Sequence, residues 1–517
     1  MHSKTEDTMQ DRLRHYLEKK ERVKQVDYSK QHARGRLSVV ERVNLLFDPG
    51  TFVEIGILAR QDQLTRAVKP EDTPRDGILT GYGKVGGRMV GVGAYDITVK
   101  GGSMGAVGEW KMTRLKRMAL EQGFPFVIMC DGTGARLEEE IRSKAGRDNP
   151  QFPDLCALSG FVPIVVGIMG DCFAGHANLT ALGDFVPMTR GSTMGLIGPP
   201  VLKSKLGVEI TKEELGGAEI HCEKSGMADL LVEDDRDCIE KIREFLSYLP
   251  SNCHEDSPGV ETKDDPERRD EALLDIVPIN TRRAYDMHRI IEHIIDEGKY
   301  FELKPAYARN IITCLARMDG RVVGIIANQP MWKAGTMDVN ACIKSSRFVN
   351  FCDAFGIALI FLQDVPGFFP GLESELEGII RWSTRTLYEL AHATVPRFTV
   401  LIRKVYGLAH FGMCALGFRP NMMVAWPTAE LSAIDPEDAV DIMFRKELAG
   451  VEDREKVRNE RIGEFRKLIR MDGALEASFI DDVIDPRDTR PLLIKALRMA
   501  KKRREGMTFK RRGITPI

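Results

Sequence analysis

Short runs rich in valine and isoleucine alternate along the chain with longer stretches in which apolar residues recur every three or four positions. Arg88 to Ala94 predicts a strand, and a Gly-rich bend at Gly101-Gly102-Ser103 leads into an amphipathic helix over 108–122. Phe126 to Cys130 and Pro163 to Met169 predict two further strands, each running into a loop with Gly or Pro and then a helix. The later part repeats the pattern: strands at Arg321 to Ala327, Ala358 to Leu362 and Phe398 to Ile402, a bend at Ala334-Gly335-Thr336, and a helix over 341–355. Residues 1–45 predict helix, closed by Asp48-Pro49-Gly50 before an extended stretch from Thr51 to Gly56. Strands alternating with helices predict an α/β architecture, in which ligands gather at the strand ends.

The recurrence holds at the level of single residues. At an offset of 233 positions, Gly87-Arg88 matches Gly320-Arg321, Gly102 and Met104 match Gly335 and Met337, and Lys111 matches Lys344. Asp131 and Gly134 match Asp364 and Gly367 at the same offset, and Val162-Pro163 matches Val395-Pro396. A period this long is no solenoid, whose repeats run to about 20–50 residues. It predicts two tandem homologous domains, 1–256 and 257–517, joined through the polar, acidic stretch Ser251 to Glu271.

Composition narrows the functional classes. At 517 residues the chain exceeds what one core usually supports. A net charge of −2 gives no reason to expect nucleic acid or an anionic membrane as partner. The 10 cysteines include no Cys-x-x-Cys pair, which argues against zinc ribbons and redox dithiols, so no metal is expected. Without a signal peptide they read as reduced thiols in a cytoplasmic compartment. No apolar run reaches the roughly 18–20 residues that span a bilayer.

Four strand-end loops are candidates for chemistry: Asp131-Gly-Thr-Gly-Ala-Arg136, Gly170-Asp-Cys-Phe-Ala-Gly175, Asp364-Val-Pro-Gly-Phe-Phe-Pro-Gly371 and Tyr406-Gly-Leu-Ala-His410. Glycine lets backbone N–H groups approach a ligand, and a helix starting just after adds unpaired donors. Such parts can form an oxyanion hole, in which preorganised donors stabilise a developing enolate. A single loop of this kind reads equally as a tight turn; four in matching positions of two repeats favour a site.

Side-chain candidates are weaker. Gly81-Tyr-Gly83-Lys-Val-Gly86 fits the dinucleotide pattern but precedes a strand, so a hairpin turn is the better reading. His288 and His293 read as structural or solvated, Glu138-Glu139-Glu140 as a solvated first helical turn, and Lys501-Lys502-Arg503-Arg504 with Lys510-Arg511-Arg512 as a solvated tail. His176 and His410 follow Gly-rich loops and are candidates to touch a ligand. With no nucleophile elbow, His-Glu-x-x-His or P-loop, catalysis would lean on backbone dipoles.

These loops belong to a larger set: Lys30-Gln-His-Ala-Arg-Gly-Arg36, Asp76-Gly77, Glu213-Glu-Leu-Gly-Gly-Ala218, Ala327-Asn-Gln-Pro330, Phe351-Cys-Asp-Ala-Phe355, Asp364-Val-Pro-Gly-Phe368, Gly378-Ile-Ile-Arg381 and Ala425-Trp-Pro-Thr-Ala-Glu430. Through them the chain resembles, over nearly its whole length, the carboxyltransferase (beta) subunits of biotin-dependent acyl-CoA carboxylases, and the related transcarboxylase and decarboxylase subunits. The resemblance implies two crotonase-like domains, a hexamer of two stacked trimers, and active sites where the N-domain of one subunit meets the C-domain of another. It implies a first hole on Thr133, Gly134 and Ala135 for the thioester oxygen of an acyl-CoA, and a second on Gly407, Leu408 and Ala409 for the biotin ureido oxygen. Substrate contacts would come from Gly101, Gly102, Ser103, Arg136, Gly175, His176, Asp364, Gly367, Phe368, His410 and Phe411. Carboxybiotin would release CO2, biotin would remove the α-proton, and the thioester enolate would attack CO2, the cofactor supplying the difficult step.

Departures bear on specificity. Asp131-Gly-Thr-Gly-Ala-Arg136 replaces the family's Asp-Ser-Gly-Gly-Ala-Arg, and Tyr406-Gly-Leu-Ala-His-Phe411 replaces Tyr-Gly-Gly-Ala-Tyr-Asp. Leu408 in place of glycine predicts a strained backbone there. Phe411-Gly-Met-Cys414 is similar to the methylcrotonyl- and geranyl-CoA branch. The chain carries no Ala-Met-Lys-Met biotin acceptor and no ATP loop, so a biotin carboxylase and biotin carboxyl carrier partner must supply both. A decarboxylase or transcarboxylase subunit, and a catalytically weak scaffold subunit, remain as alternatives.

Overall fold

The computed structural model describes residues 8–61, 73–136, 139 and 151–501. Met1–Glu255 and Asp256–Ile517 form two compact units. Each is built on an eight-stranded mixed sheet, so the architecture is α/β with two similar sheets in tandem.

In the first unit the strands are β1 (Val53–Ile55), β2 (Ile78–Val85), β3 (Arg88–Tyr95), β4 (Phe126–Gly132), β5 (Ile164–Phe173), β6 (Pro187–Thr189), β7 (Thr193–Gly195) and β8 (Leu230–Val232). They lie in the order β1-β2-β3-β4-β5-β6-β8, with β7 on the far end of β5. β2 and β3 form an antiparallel hairpin closed by Gly86-Gly87, both at positive φ (56° and 80°), as a primed two-residue turn requires. Gly81 and Gly83 of the dinucleotide-like pattern sit inside β2, where no phosphate could approach: a Cβ on Gly81 would lie 2.3 Å from the Val53 carbonyl. From β3 onward the pairing is parallel, and the helix Ala106–Gln122 makes the crossover. The core packs Met112 and Leu115 of that helix onto Phe126, Ile128, Ile164 and Val166.

In the second unit β9 (Tyr300–Glu302), β10 (Ile311–Met318), β11 (Arg321–Asn328), β12 (Ala358–Val365), β13 (Arg397–Tyr406), β14 (Met422–Ala425), β15 (Glu430–Ser432) and β16 (Asp482–Val483) give the order β16-β14-β13-β12-β11-β10-β9, with β15 on the end of β13. The helix Val339–Ala354 makes the equivalent crossover. The stretch read as a linker is ordered within the described residues: Asp264 accepts from Arg268 (2.8 Å), and Asp296 from Arg490 (2.7 Å) beside it.

Two structural pairs show how deep the repeat runs. Gly132 pairs with Cys172 beyond a register shift in β4, and Val365 pairs with Val405 beyond the same shift in β12, both 233 apart. The matched lysines are buried in the same role. Lys111 Nζ donates to the carbonyls of Arg75 (2.9 Å) and Ile78 (2.5 Å), and Lys344 Nζ to those of Lys304 (2.8 Å), Tyr307 (3.0 Å) and Ile311 (2.7 Å). Burial pushes the Lys111 amine down to about 8.

The strands run further than the hydrophobic pattern predicts. Asp131-Gly132, Gly170 to Phe173, Asp364-Val365 and Tyr406 are strand, not loop. Past the register shifts the far ends of β5 and β13 pair in parallel with β7 and β15 of the same sheets, so these polar residues remain in strands.

Candidate active site

The two strand ends of each unit approach one another. In the first unit Gly134, at φ +96°, lies so close to the β5 end that a Cβ on it would sit 3.0 Å from the Ala174 Cβ and 3.1 Å from the Phe173 carbonyl. The Gly101–Ser103 strap lies beneath: the Gly101 carbonyl accepts from the Thr133 amide (3.2 Å) and hydroxyl (3.1 Å), and the Met104 amide donates to the Gly134 carbonyl (2.8 Å). Gly102 is packed so tightly that a Cβ would lie 2.2 Å from the Asp131 carbonyl. The strap therefore supports the 131–136 turn from below.

These contacts decide which amides are open. Thr133 gives its N–H to Gly101, and Gly134 gives its N–H to His176 Nδ1 at 3.0 Å. Of the three amides expected in the first hole, only that of Ala135, an exposed residue, has no acceptor among the described residues. A second open amide comes from the neighbouring strand end, at Gly175, the first residue of the short helix Gly175–Thr180.

The second unit repeats the arrangement. Met337 bridges to Phe368 as Met104 bridges to Ala135. The Phe368 and Leu408 amides, 233 positions beyond Ala135 and Gly175, likewise lack acceptors among the described residues. The Ala409 amide is also without one, while Gly407 is committed to the Ser432 carbonyl at 3.0 Å. Positive φ falls on Gly407 (63°), whereas Leu408 sits at φ −68°, ψ −23°. The backbone strain expected at Leu408 is absent, because the turn places the left-handed residue one position earlier.

Several residues expected to contact substrate are buried and bonded within the protein. Arg136 is buried and ion-paired to Asp76 (2.6 Å) and Glu139 (2.8 Å), and it also donates to Ser103 Oγ (3.3 Å). Asp364 is fully buried against Arg403 (3.0 Å), with Lys404 at 3.7 Å and the Lys404 amide donating to Oδ1 at 3.0 Å. His176 is fully buried, edge-on to Tyr95, with burial pushing its imidazole down to about 4 against a smaller upward pull from the Gly132 backbone. Each of these buried groups is paired within the protein, and the pairs hold the loops. His410 is half-buried, contacts Gln363 through Nδ1 (3.1 Å to Oε1) and is also pushed down to about 4 by burial, so it is neutral at neutral pH. Gly367, at φ +155°, gives its carbonyl to the Met337 amide.

The second turn carries an apolar rim. Leu408 is 71% exposed and Phe411 41%, and Phe369, Leu372, Leu376 and Ile380 are exposed nearby in sequence. Sequence reasoning missed Gly175 and Phe368 as donor positions, though the offset of 233 applied to Leu408 and Ala135 would have found both. It also missed the buried cations behind the turns, Arg42 on Asp131 (3.0 Å) and Arg403 on Asp364, which carry no motif.

Outside this site, His288 lies between Asp286 (2.8 Å) and Glu302 (3.0 Å), and His293 meets Asp270 (2.6 Å), both structural as expected. All ten cysteines are free thiols, and no group of three or more metal-ligating side chains occurs among the described residues. No described helix is long and apolar enough to cross a membrane. Glu138, Glu140 and the basic tail beyond Lys501 lie outside the described residues.

Comparison with known proteins matches these features to one group. The family model for the carboxyl transferase domain matches residues 30–514. The chain is 42% identical to the methylmalonyl-CoA decarboxylase subunit alpha of Veillonella parvula, over 94% of each chain. It is 39% identical to the carboxyltransferase subunit of propionyl-CoA carboxylase from Haloferax mediterranei, over 99% of this chain and 100% of that one. Among solved structures, that of transcarboxylase 12S, described as a hexamer with methylmalonyl-coenzyme A bound, superposes with a TM-score of 0.93 at 38% identity, covering 99% of both chains. Full-length agreement in sequence and in overall structure makes the chain a member of the carboxyl transferase family, a carboxyltransferase subunit of the biotin-dependent enzymes that act on acyl-CoA.

Proposed function

We propose that the protein transfers a carboxyl group from carboxybiotin, carried on a separate partner chain, to the α-carbon of an acyl-CoA. The single observation that carries this reading is the pair of open amides at repeat-equivalent places, Ala135 with Gly175 and Phe368 with Leu408. In the first unit the Ala135 and Gly175 amides donate to the thioester oxygen, so negative charge that develops there on loss of the α-proton meets donors already in place. Removing one such donor typically costs about 10²–10³ in kcat.

The second turn fits biotin by its donor set: two N–H groups for the ureido oxygen, beside Leu408 and Phe411 for an apolar ring system. Bound there, carboxybiotin supplies CO2 and a basic nitrogen. Phe368 and Leu408 hold and orient the ureido oxygen, and the apolar rim excludes water that would compete for the carboxyl group. The biotin carboxylase and carboxyl carrier functions come from partner subunits, and the protein assembles as a hexamer like its 12S relative.

The test is reconstitution with a biotin carboxylase and carrier encoded near its gene, followed by ATP-dependent bicarbonate fixation across a panel of acyl-CoAs. Fixation supports the reading. ATP-independent loss of CO2 from methylmalonyl-CoA without fixation supports a decarboxylase subunit instead, a reading favoured by the 42% identity to such a subunit. Neither activity from an intact assembly would leave a scaffold.

A further inference from the structure

We infer that His176 is a positioning residue, one that sets the spacing between the two donors of the first turn without touching the substrate; this rests on the function proposed above. The ring accepts the Gly134 N–H at Nδ1, and the residue itself follows Gly175 directly. One side chain therefore ties the turn that presents the Ala135 amide to the helix that presents the Gly175 amide. Gly134 is held through both of its peptide groups: His176 takes the N–H of the 133–134 peptide, and Met104 donates at 2.8 Å to the carbonyl of the 134–135 peptide. That carbonyl shares a peptide plane with the Ala135 N–H, so fixing one aims the other.

An imidazole accepting at Nδ1 carries its single proton on Nε2. That Nε2 is buried without a hydrogen-bond partner, as is the hydroxyl of Tyr95, whose ring meets the imidazole edge-on at 4.1 Å. A leucine would fill the space and remove the unpaired Nε2, but it would leave the buried Gly134 N–H without its acceptor, so the histidine is explained by that hydrogen bond and not by packing. Nor does the fold require it. The repeat-equivalent position is Ala409, and the second unit builds the same strand-turn-helix junction with its histidine one place later, His410, directed to Gln363 and not to a turn amide. A histidine at this position, bonded to the turn, belongs to the first unit.

The test compares wild type, His176→Asn and His176→Leu in the reconstituted holoenzyme, each checked for assembly and melting temperature. Asparagine places its Oδ1 near the imidazole Nδ1 and keeps an acceptor for Gly134; leucine removes it. The expected result is kcat for His176→Leu lowered about 30-fold with KM for the acyl-CoA within two-fold. His176→Asn should recover most of that loss even where its melting temperature falls as far. Unchanged kcat in His176→Leu, equal loss in both variants, or a rise in KM at constant kcat would each overturn the inference. An inactive wild-type holoenzyme would instead count against the proposed function, and the two failures are thereby distinguishable.

Discussion

Arg403 lies 3.0 Å from the buried carboxylate of Asp364, one strand across, and the repeat-equivalent of Arg403 in the first unit is Gly170. The first unit could not accept a side chain there, because a Cβ on Gly170 would sit 1.9 Å from Asp131 Oδ1. Its cation comes from elsewhere, Arg42, which reaches Asp131 (3.0 Å) and Asp235 (2.9 Å) together. Both units thus neutralise the aspartate that ends the central strand, by different routes.

Arg403→Met should therefore destabilise the second unit by about 3–5 kcal/mol, since it strands a buried charge. The double variant Arg403→Met, Asp364→Asn should recover a large part of that loss. Urea unfolding followed by tryptophan fluorescence measures both, with Trp426 in the core of that unit as reporter. An Arg403→Met effect below about 1 kcal/mol would show that the pair is not what holds the strand end.

Gly134→Ala combines an unfavourable φ of +96° with a contact of 3.0 Å to the Ala174 Cβ. The turn must shift, carrying the Ala135 amide with it. The expected outcome is a kcat reduced about 100-fold with the fold retained, read by steady-state kinetics and circular dichroism. Gly134→Pro should be inactive outright, since it loses the donor to His176 and demands φ near −65°.

Leu408→Gly tests the backbone at the second turn. Because Leu408 is already in the right-handed helical region, glycine relieves nothing. Turnover should stay within a few-fold of wild type, and stability should fall by up to about 1 kcal/mol from added chain entropy. A clear gain in stability would contradict the dihedral.

Three histidines set opposing limbs of the stability profile. His176 and His410 fold with values of about 4, below the ordinary 6.5, because burial disfavours their charged forms. The unfolded chain binds protons that the folded one refuses, so stability present above pH 6.5 is lost as pH falls toward 4, by about 3 kcal/mol per site at the limit. His288 behaves oppositely: burial pulls it down, but Glu302 and Asp286 outweigh burial and raise it to about 9. Its contribution is complete below pH 6.5 and is lost as pH rises toward 9. Melting temperature should peak near pH 6.5–7; His410→Gln should flatten the acid limb while keeping substantial turnover, and His288→Gln should flatten the alkaline one.

The sequence by itself determined the class of fold, the repeat and the family, because these are written in spacing. Valine-rich strands, the offset of 233 that joins Asp131 to Asp364, and the ordered motifs from Lys30 to Glu430 survive without any knowledge of packing. It also singled out the strand-end loops in which the structure leaves amides open. What it could not decide is which amides in those turns are open, because that depends on where each N–H finds an acceptor in space. Thr133 and Gly134 lose theirs to Gly101 and His176, residues 32 and 42 positions away. Gly175 keeps its N–H open because it is the first residue of a helix, and Phe368 because the Met337 bridge pairs its neighbours Gly367 and Phe369 instead. Burial, likewise a property of the folded chain alone, placed Arg136, Asp364 and His176 in internal pairs behind the turns.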